Sequence, residues 1–577
     1  MIPRLTVALA LLLAPALPAL PAQEARPEGL STRALIERFE QDRRSLESFY
    51  SIRQSPRRHE RLAAFEAEWR ARIGSGIFEA LTTGEQVDLL LLRRELDLMA
   101  HERAVAAGRL AAVEALLPFR QAIIDLEESR WRLAEVEPRE AASLLDDLAA
   151  EVRDVREVVH RADPAEEPAE AELRVSPVDA RRAAQLVGEL SRVLDDWYES
   201  YAAFHPDFAW WCEGPHGELD EALAGYRKHL QERIAGLEGE DDDPLVGESL
   251  GREALERAVE LEGLAYDVDG LLAIGEAEFA WCEARLAEAA AELGLEDGMA
   301  AIEHVKELHA DPGEQDMLVA RQAQEAIDWL DERELLTIEE LCRETWRLEM
   351  ISERGQRTLP FAAYSRQSML VAFPTQGMDH DTKLMSLRGN NEHFTRIVTP
   401  HELIPGHHLQ GYMAQRYADH RSFARTPFLV EGWALYWEML MWDEGWARGP
   451  EDRVGMLFWR MHRCARILVS LGFHLGEMTP EEMIDFLVER VGHERHTATA
   501  EVRRYVGDAY GPLYQCGYMI GGKQLRALAE EVIDSGRMDR REFHDAVLRL
   551  GPIPVELIRA ELLGQRLSEE WSPGWEF

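Results

Sequence analysis

Residues 82–100 read TTGEQVDLLLLRRELDLMA, and this stretch sets the expectation for the whole chain. Thr82 and Glu85 have the spacing of a capping box, in which each side chain satisfies a free backbone N–H of the other at a helix start. Leu89, Leu92, Leu96 and Met99 then recur at three- and four-residue intervals and share one helical face. The same period, in a matrix of Ala, Glu, Arg and Leu, extends from about residue 30 to 350. Further helix starts are signalled by Thr337 with Glu340, and by Thr479, Pro480 and Glu482, where Pro takes the first helical position. The expected fold is mainly α, a large helical assembly joined by short loops.

Composition narrows the function. The 577 residues are 46% apolar and 30% charged, which is globular rather than disordered. Acidic residues number 107 against 64 Lys plus Arg, a net charge of −43. Such a field repels phosphate backbones, so nucleic acid is excluded as a bulk electrostatic partner and cationic substrates are favoured. No 20–50-residue period repeats, which argues against a solenoid. Two acidic breaks, around Pro164–Pro177 and Asp241–Pro244, read as solvated loops, and the second lacks the alternating ligand spacing of a calcium loop.

Met1–Arg4 is a short basic segment, TVALALLLAPALPAL is apolar, and Ala22 offers a small residue at a cleavage point, which together read as a signal peptide over residues 1–22. Pro15, Pro18 and Pro21 interrupt the run short of the ~20 residues that span a bilayer. An exported chain, periplasmic or extracellular and without stable membrane insertion, is expected. Cys212, Cys282, Cys342, Cys464 and Cys516 are scattered, odd in number and free of CxxC spacing, so they are read as buried thiols.

Residues 23–350 form the helical N-terminal region and 351–577 the site-bearing region, with one cleft expected between them. The β-rich runs MLVAF (369–373) and TRIVT (395–399) suggest a small sheet before the site, whose exposed edge could hold an extended peptide.

The segment TPHELIPGHHLQGYMAQ (399–415) carries His401, Glu402, His407 and His408, and FLVEGWALYWE (428–438) carries Glu431. Two imidazoles, a carboxylate and a spare Glu beside the first His are the ligand and base set of a catalytic zinc hydrolase. On a regular helix His407 lies about 240° round from His401, and His408 lies within about 20° but ~10.5 Å along the axis. Pro405 lacks an N–H and its ring clashes with the carbonyl of His401, so the helix cannot run through regularly. An irregular turn with Gly406 would bring His407 to the second ligand position. A purely structural reading also exists: Thr399, Pro400 and Glu402 have the pattern of a helix start, and Glu431 suits a first helical turn.

HELIPGHHLQ, FLVEGWALYWE and RYVGDAYGPLYQCGYMIGG (504–522) together resemble the bacterial domain-of-unknown-function family 885, over about residues 340 to 560. Members of that family look like all-helical zinc metallopeptidases, and the resemblance implies a fold similar to oligopeptidase-type gluzincins. It implies one zinc per chain held by His401, His407 and Glu431, with Glu402 as general base and His408 at a more variable position. The third segment matches the family's pattern through Arg504, Tyr505, Pro512, Gln515, Tyr518 and Gly521. Tyr518 becomes the candidate oxyanion donor, and Arg504 and Tyr505 become candidates for substrate binding, Arg504 through a carboxylate. Ser470 stands where the family tends to carry Asp, while His474 is kept as a substrate or supporting candidate. The expected function is an exported zinc metallopeptidase that hydrolyses short peptides through a zinc-bound water, with Glu402 taking the proton. A zinc hydrolase of a non-peptide amide or ester, and a catalytically inactive secreted helical binding protein, are the alternatives.

Overall fold

The capping box at Thr82 forms: Thr82 N donates to Glu85 Oε2 (3.0 Å), and Glu85 N donates to Thr82 Oγ1 (3.4 Å). It starts α1 (Thr83–Ala112), on which Leu89, Leu92 and Leu96 are buried and Met99 packs at the core margin. The computed structural model describes residues 31–74, 78–162, 172–239, 243–507 and 510–577, so the proposed leader and most of the first acidic break lie outside the described residues. The box at Thr479 and Glu482 also forms. Thr337 behaves differently. Its N–H and hydroxyl both donate to Asp545 (2.9 and 2.6 Å), and the helix begins at Glu340 with Glu339 before it. A carboxylate brought in by the fold outcompetes the local cap, because charge-assisted hydrogen bonds are the stronger ones.

Two hydrophobic cores divide the chain. A smaller one gathers side chains from Val113 to Ala235, together with Ile52. The larger one takes in residues on both sides of that stretch, from Leu35 to Leu96 and from Leu255 to Leu567. Side chains from both sides of residue 350 share this larger core, in which α2 (Val268–Leu293) lies against the long helix Pro450–Leu475. All five cysteines are free and buried, and burial pushes Cys212 up to about 11 and Cys342 and Cys516 up to about 12. Among the described residues no helix is long and apolar enough to cross a membrane.

A three-stranded sheet precedes the site: β1 (Arg347–Met350), β2 (Ala362–Ser365) and β3 (Ser368–Val371), in the order β1-β3-β2. β1 runs parallel to β3, and β2 pairs antiparallel with β3 through Ser365↔Ser368. Arg366 and Gln367 join them at φ 48° and 70°, the left-handed two-residue turn whose twist suits a hairpin. MLVAF therefore supplies a strand, but TRIVT does not. It lies within α3 (Glu392–Glu402), capped by Asn391, whose Oδ1 accepts from His393 N and Phe394 N. Burial of Phe394, Ile397 and Val398 in the larger core overrides the β preference of the branched residues.

The remaining elements at the site are α4 (His407–Tyr417), α5 (Pro427–Asp443), α6 (Pro450–Leu475), α7 (Arg495–Val506) and α8 (Gly517–Asp534). Helices α5 and α8 touch backbone to backbone. A Cβ on Gly521 would stand 1.8 Å from Phe428 O, and one on Gly432 would stand 2.5 Å from the Gly521 carbonyl carbon. This approach holds the turn before α8 against the helix that carries Glu431. Gly521→Ala should cost more than the ~1–3 kcal/mol of ordinary overpacking. Gly108→Ala on α1, where the added Cβ meets nothing within 4 Å, should stabilise its helix by ~0.5–1 kcal/mol. Thermal or denaturant unfolding of the two variants checks the opposite signs.

Candidate metal centre

The α3 helix ends at Glu402, and Leu403 leaves helical geometry (φ −103°, ψ −102°). A four-residue turn follows, containing a cis Ile404–Pro405 peptide bond, and α4 starts at His407. Gly406 N donates to Pro400 O (2.9 Å), and a Cβ at Gly406 would lie 1.7 Å from His401 O, so only glycine fits here. Trp433 Nε1 donates to Pro405 O (2.8 Å) and fastens the turn to α5.

This turn swings His407 beside His401, with ring centroids 4.9 Å apart and planes perpendicular. Glu431 Oε2 lies 3.2 Å from His407 Nε2 and 3.7 Å from His401 Nε2. One ligand atom from each of the three residues falls within 4.8 Å of the others. His408 faces away. Its Nε2 donates to Cys342 O (2.9 Å) and its Nδ1 accepts from Tyr364 OH (3.1 Å), which leaves neither nitrogen for a metal and ties α4 to β2. Thr399 and Pro400 sit near the end of α3, so Glu402 closes no helix start. Glu431 lies beyond the first turn of α5, whose cap is Thr426. Both structural readings of these carboxylates therefore fail.

The surroundings favour a cation. Glu438 Oε1 accepts from His401 Nδ1 (2.6 Å), which turns the His401 Nε2 toward the centre, as second-layer carboxylates do for metal-ligating histidines. Arg463 reaches the same oxygen at 3.5 Å. Glu431 Oε1 accepts from the Tyr514 hydroxyl, while its Oε2 is buried without a hydrogen-bond partner. A buried anionic oxygen without a hydrogen bond is costly, and a divalent cation between it and the imidazoles at 3.2 and 3.7 Å would satisfy it. Without metal, burial works against the charged His401, but the carboxylates of Glu431 and Glu438 prevail and raise it to about 9. Burial also opposes the Glu431 carboxylate, yet His407 and His401 hold it well below the usual range. Glu438 is likewise lowered against burial, by Arg463 and His401.

These groups open onto a cleft of about 500 Å³ whose walls include Glu402, Tyr514, Tyr518, Arg463, Arg466 and Arg504. Tyr518 lies nearly parallel to the His401 ring at 6.1 Å, and burial, with Glu431 nearby, pushes its hydroxyl up to about 12. Arg504 reaches the cleft while donating to Glu501 (2.9 Å). Tyr505 does not line it: its hydroxyl donates to Glu501 (2.6 Å) and accepts from Arg466 Nε (3.0 Å), so it braces the wall from behind. His474 is elsewhere. Eleven positions beyond Arg463 on α6, it lies ~16 Å further along the axis, where its carbonyl accepts from Gly251 N and Ser249 Oγ. Ser470 is buried away from the cleft as well.

Four residues at the site escape a motif reading: Glu438, Arg463, Arg466 and Tyr514. Their signals are positional. Glu438 follows Glu431 by two helical turns, Arg463 and Arg466 are three apart on α6, and Tyr514 stands midway between Tyr510 and Tyr518 at four-residue steps.

A mainly α fold with a buried His-His-Glu centre in an arginine-walled cleft is the class of protein these observations define. Residues 50–562 match the family described as "Bacterial protein of unknown function (DUF885)", and the chain belongs to that family. The match extends well beyond the segments that carry the motifs. No curated protein matches the chain. Among solved structures, a candidate lipoprotein of unknown function from Shewanella oneidensis is similar, with a TM-score of 0.67 at 17% identity, covering 92% of this chain and 100% of that one. A candidate lipoprotein from Colwellia psychrerythraea gives a TM-score of 0.56 at 16% identity, covering 92% and 97%. At these identities the likeness shows the shared fold.

His407→Ala should abolish stoichiometric zinc uptake, whereas His408→Ala should retain it, since the His408 nitrogens are engaged with Cys342 and Tyr364. Elemental analysis after dialysis against zinc and then buffer checks the ranking, and the reverse order would discard this ligand set.

Proposed function

We propose that the protein is an exported zinc metallopeptidase that hydrolyses short peptides. The observation that carries this reading is the convergence of His401 Nε2, His407 Nε2 and Glu431 Oε2 on one buried point, with Glu402 on the wall of the same cleft. Three protein ligands with a position left open is the arrangement of catalytic rather than structural zinc. Zinc held there would supply Lewis acidity to a water and to the scissile carbonyl.

The side chains account for the rest of the reaction. Glu402 follows a metal-ligating histidine directly and faces the cleft, so it is placed to take a proton from the attacking water and return it to the leaving amine. Tyr518, kept protonated at neutral pH, can donate to the oxygen on which charge develops, and Tyr514 can do so once it releases Glu431. A peptide substrate is favoured by the sheet. β2 is an edge strand, bonded on one side to β3, and residues 359–367 line the cleft beside the centre. Its free main-chain groups suit an extended substrate backbone, which a small ester or amide would not need. Export is supported by the leader-like N-terminus and by the naming of the two similar structures as candidate lipoproteins.

Glu402→Gln should keep zinc and lower turnover of a peptide library by ~10²–10⁴-fold, the usual contribution of a general base. Tyr518→Phe should lower kcat by ~10²–10³-fold with zinc content unchanged. Mass spectrometry of digests, with metal analysis of the same samples, reads both. Full activity in Glu402→Gln would remove Glu402 from the mechanism.

A further inference from the structure

The charge of the cleft is opposite to that of the molecule. The chain carries −43, yet among the described residues the cleft is lined by five arginines and three glutamates, with no Asp or Lys. Two of the glutamates, Glu402 and Glu431, are committed to the metal centre, which leaves Glu501. Both its oxygens are occupied: Oε1 accepts from Arg504 (2.9 Å), and Oε2 accepts from Arg466 (2.9 Å) and Tyr505 (2.6 Å). Among the described residues Arg463 hydrogen-bonds only Glu438, at 3.5 Å, and that carboxylate is already bound at 2.6 Å to His401. Cationic substrates, which the net charge alone favours, would meet like charge at this wall.

The arginines also carry unused donors. Arg463 and Arg466 side chains are 5% and 4% exposed, and Arg463 Nε and Arg466 Nη1 are buried without hydrogen-bond partners. A guanidinium offers five N–H donors in a planar fork, matched geometrically by a carboxylate. The position of this fork relative to the metal centre is set by one ring. Tyr518 lies 6.1 Å from the His401 ring, and the Arg466 and Arg463 guanidinium carbons sit 4.4 and 4.8 Å from the Tyr518 ring. That reach corresponds to one to three residues of extended chain at ~3.3–3.6 Å each.

We infer that Arg463 and Arg466, with Arg504 beside them, bind the C-terminal carboxylate of the substrate, so that the enzyme releases one to three residues from the C-terminus of short peptides. The inference rests on the peptidase reading and names its substrate end. A free carboxylate placed here would neutralise the excess guanidinium charge, occupy the open donors, and set the scissile bond over the metal centre by its distance from the chain end. An internal bond of a long polypeptide would bring no anion to this wall.

The test uses pairs of peptides identical except for a C-terminal carboxylate or carboxamide. Binding is measured by calorimetry on the zinc-loaded Glu402→Gln protein, and cleavage on the zinc-loaded wild type. The acid should bind about 10- to 100-fold more tightly than the amide, the range for a charge-assisted hydrogen-bonded contact. Arg463→Gln in the same background, with an unchanged melting temperature and zinc content, should close most of that gap. Products of the wild type should be amino acids, dipeptides or tripeptides from the C-terminus. Equal binding of acid and amide, or an acid preference that survives in Arg463→Gln, overturns the inference. Acid-selective binding lost in Arg463→Gln, with no peptide cleaved by the wild type, would instead sink the peptidase reading and leave the carboxylate site standing.

Discussion

Everything at the centre depends on a helix that is not allowed to continue. Pro405 has no N–H to give and would collide with the carbonyl of His401, and Gly406 passes so close to that carbonyl that no side chain fits. The chain therefore leaves helical geometry at Leu403 and re-enters it at His407, with Trp433 gripping the turn from α5. Two histidines that a regular helix would keep on different faces come together. The residue next to His407, His408, is released to bind Tyr364 of the sheet and the Cys342 carbonyl instead of the centre.

The turn would be useless without a rigid frame around it. Glycines at the crossing of α5 and α8 bring the Glu431 helix against the segment bearing Tyr514 and Tyr518. Glu438, on the same helix as Glu431, orients His401 and is itself held by Arg463 from α6. Glu501 then gathers Arg466, Arg504 and Tyr505 behind the cleft wall. In the proposed function carboxylates thus serve three distinct purposes within one buried region: ligand, orienting partner and counter-ion. The difference lies in what each faces, since burial alone would disfavour all of them.

Much of this is visible in the sequence wherever a local steric or capping rule operates. The boxes at Thr82 and Thr479, the strand at Met369, and the break at Pro405 all follow from interactions spanning a few residues. The readings that fail do so where a distant partner intervenes. Thr337 is taken by Asp545, and the TRIVT run is drawn into a helix by an Asn cap and a core that local β preference cannot register. The two-core division and the arginine wall depend on which helix faces pack together, so Arg463, Arg466, Glu438 and Tyr514 emerge only in three dimensions. His474, selected by motif alone, lies far along α6 from the chemistry.

In the proposed function His401, His407 and Glu431 form a metal site in the native protein. Elemental analysis of the wild-type protein, purified without chelators and without a metal-binding tag, tests it most directly. About one zinc per chain is the expected result. A metal-free protein that also fails to take up added zinc would contradict it, and His407, 3.2 Å from the buried Glu431 Oε2, would then be the partner of that oxygen.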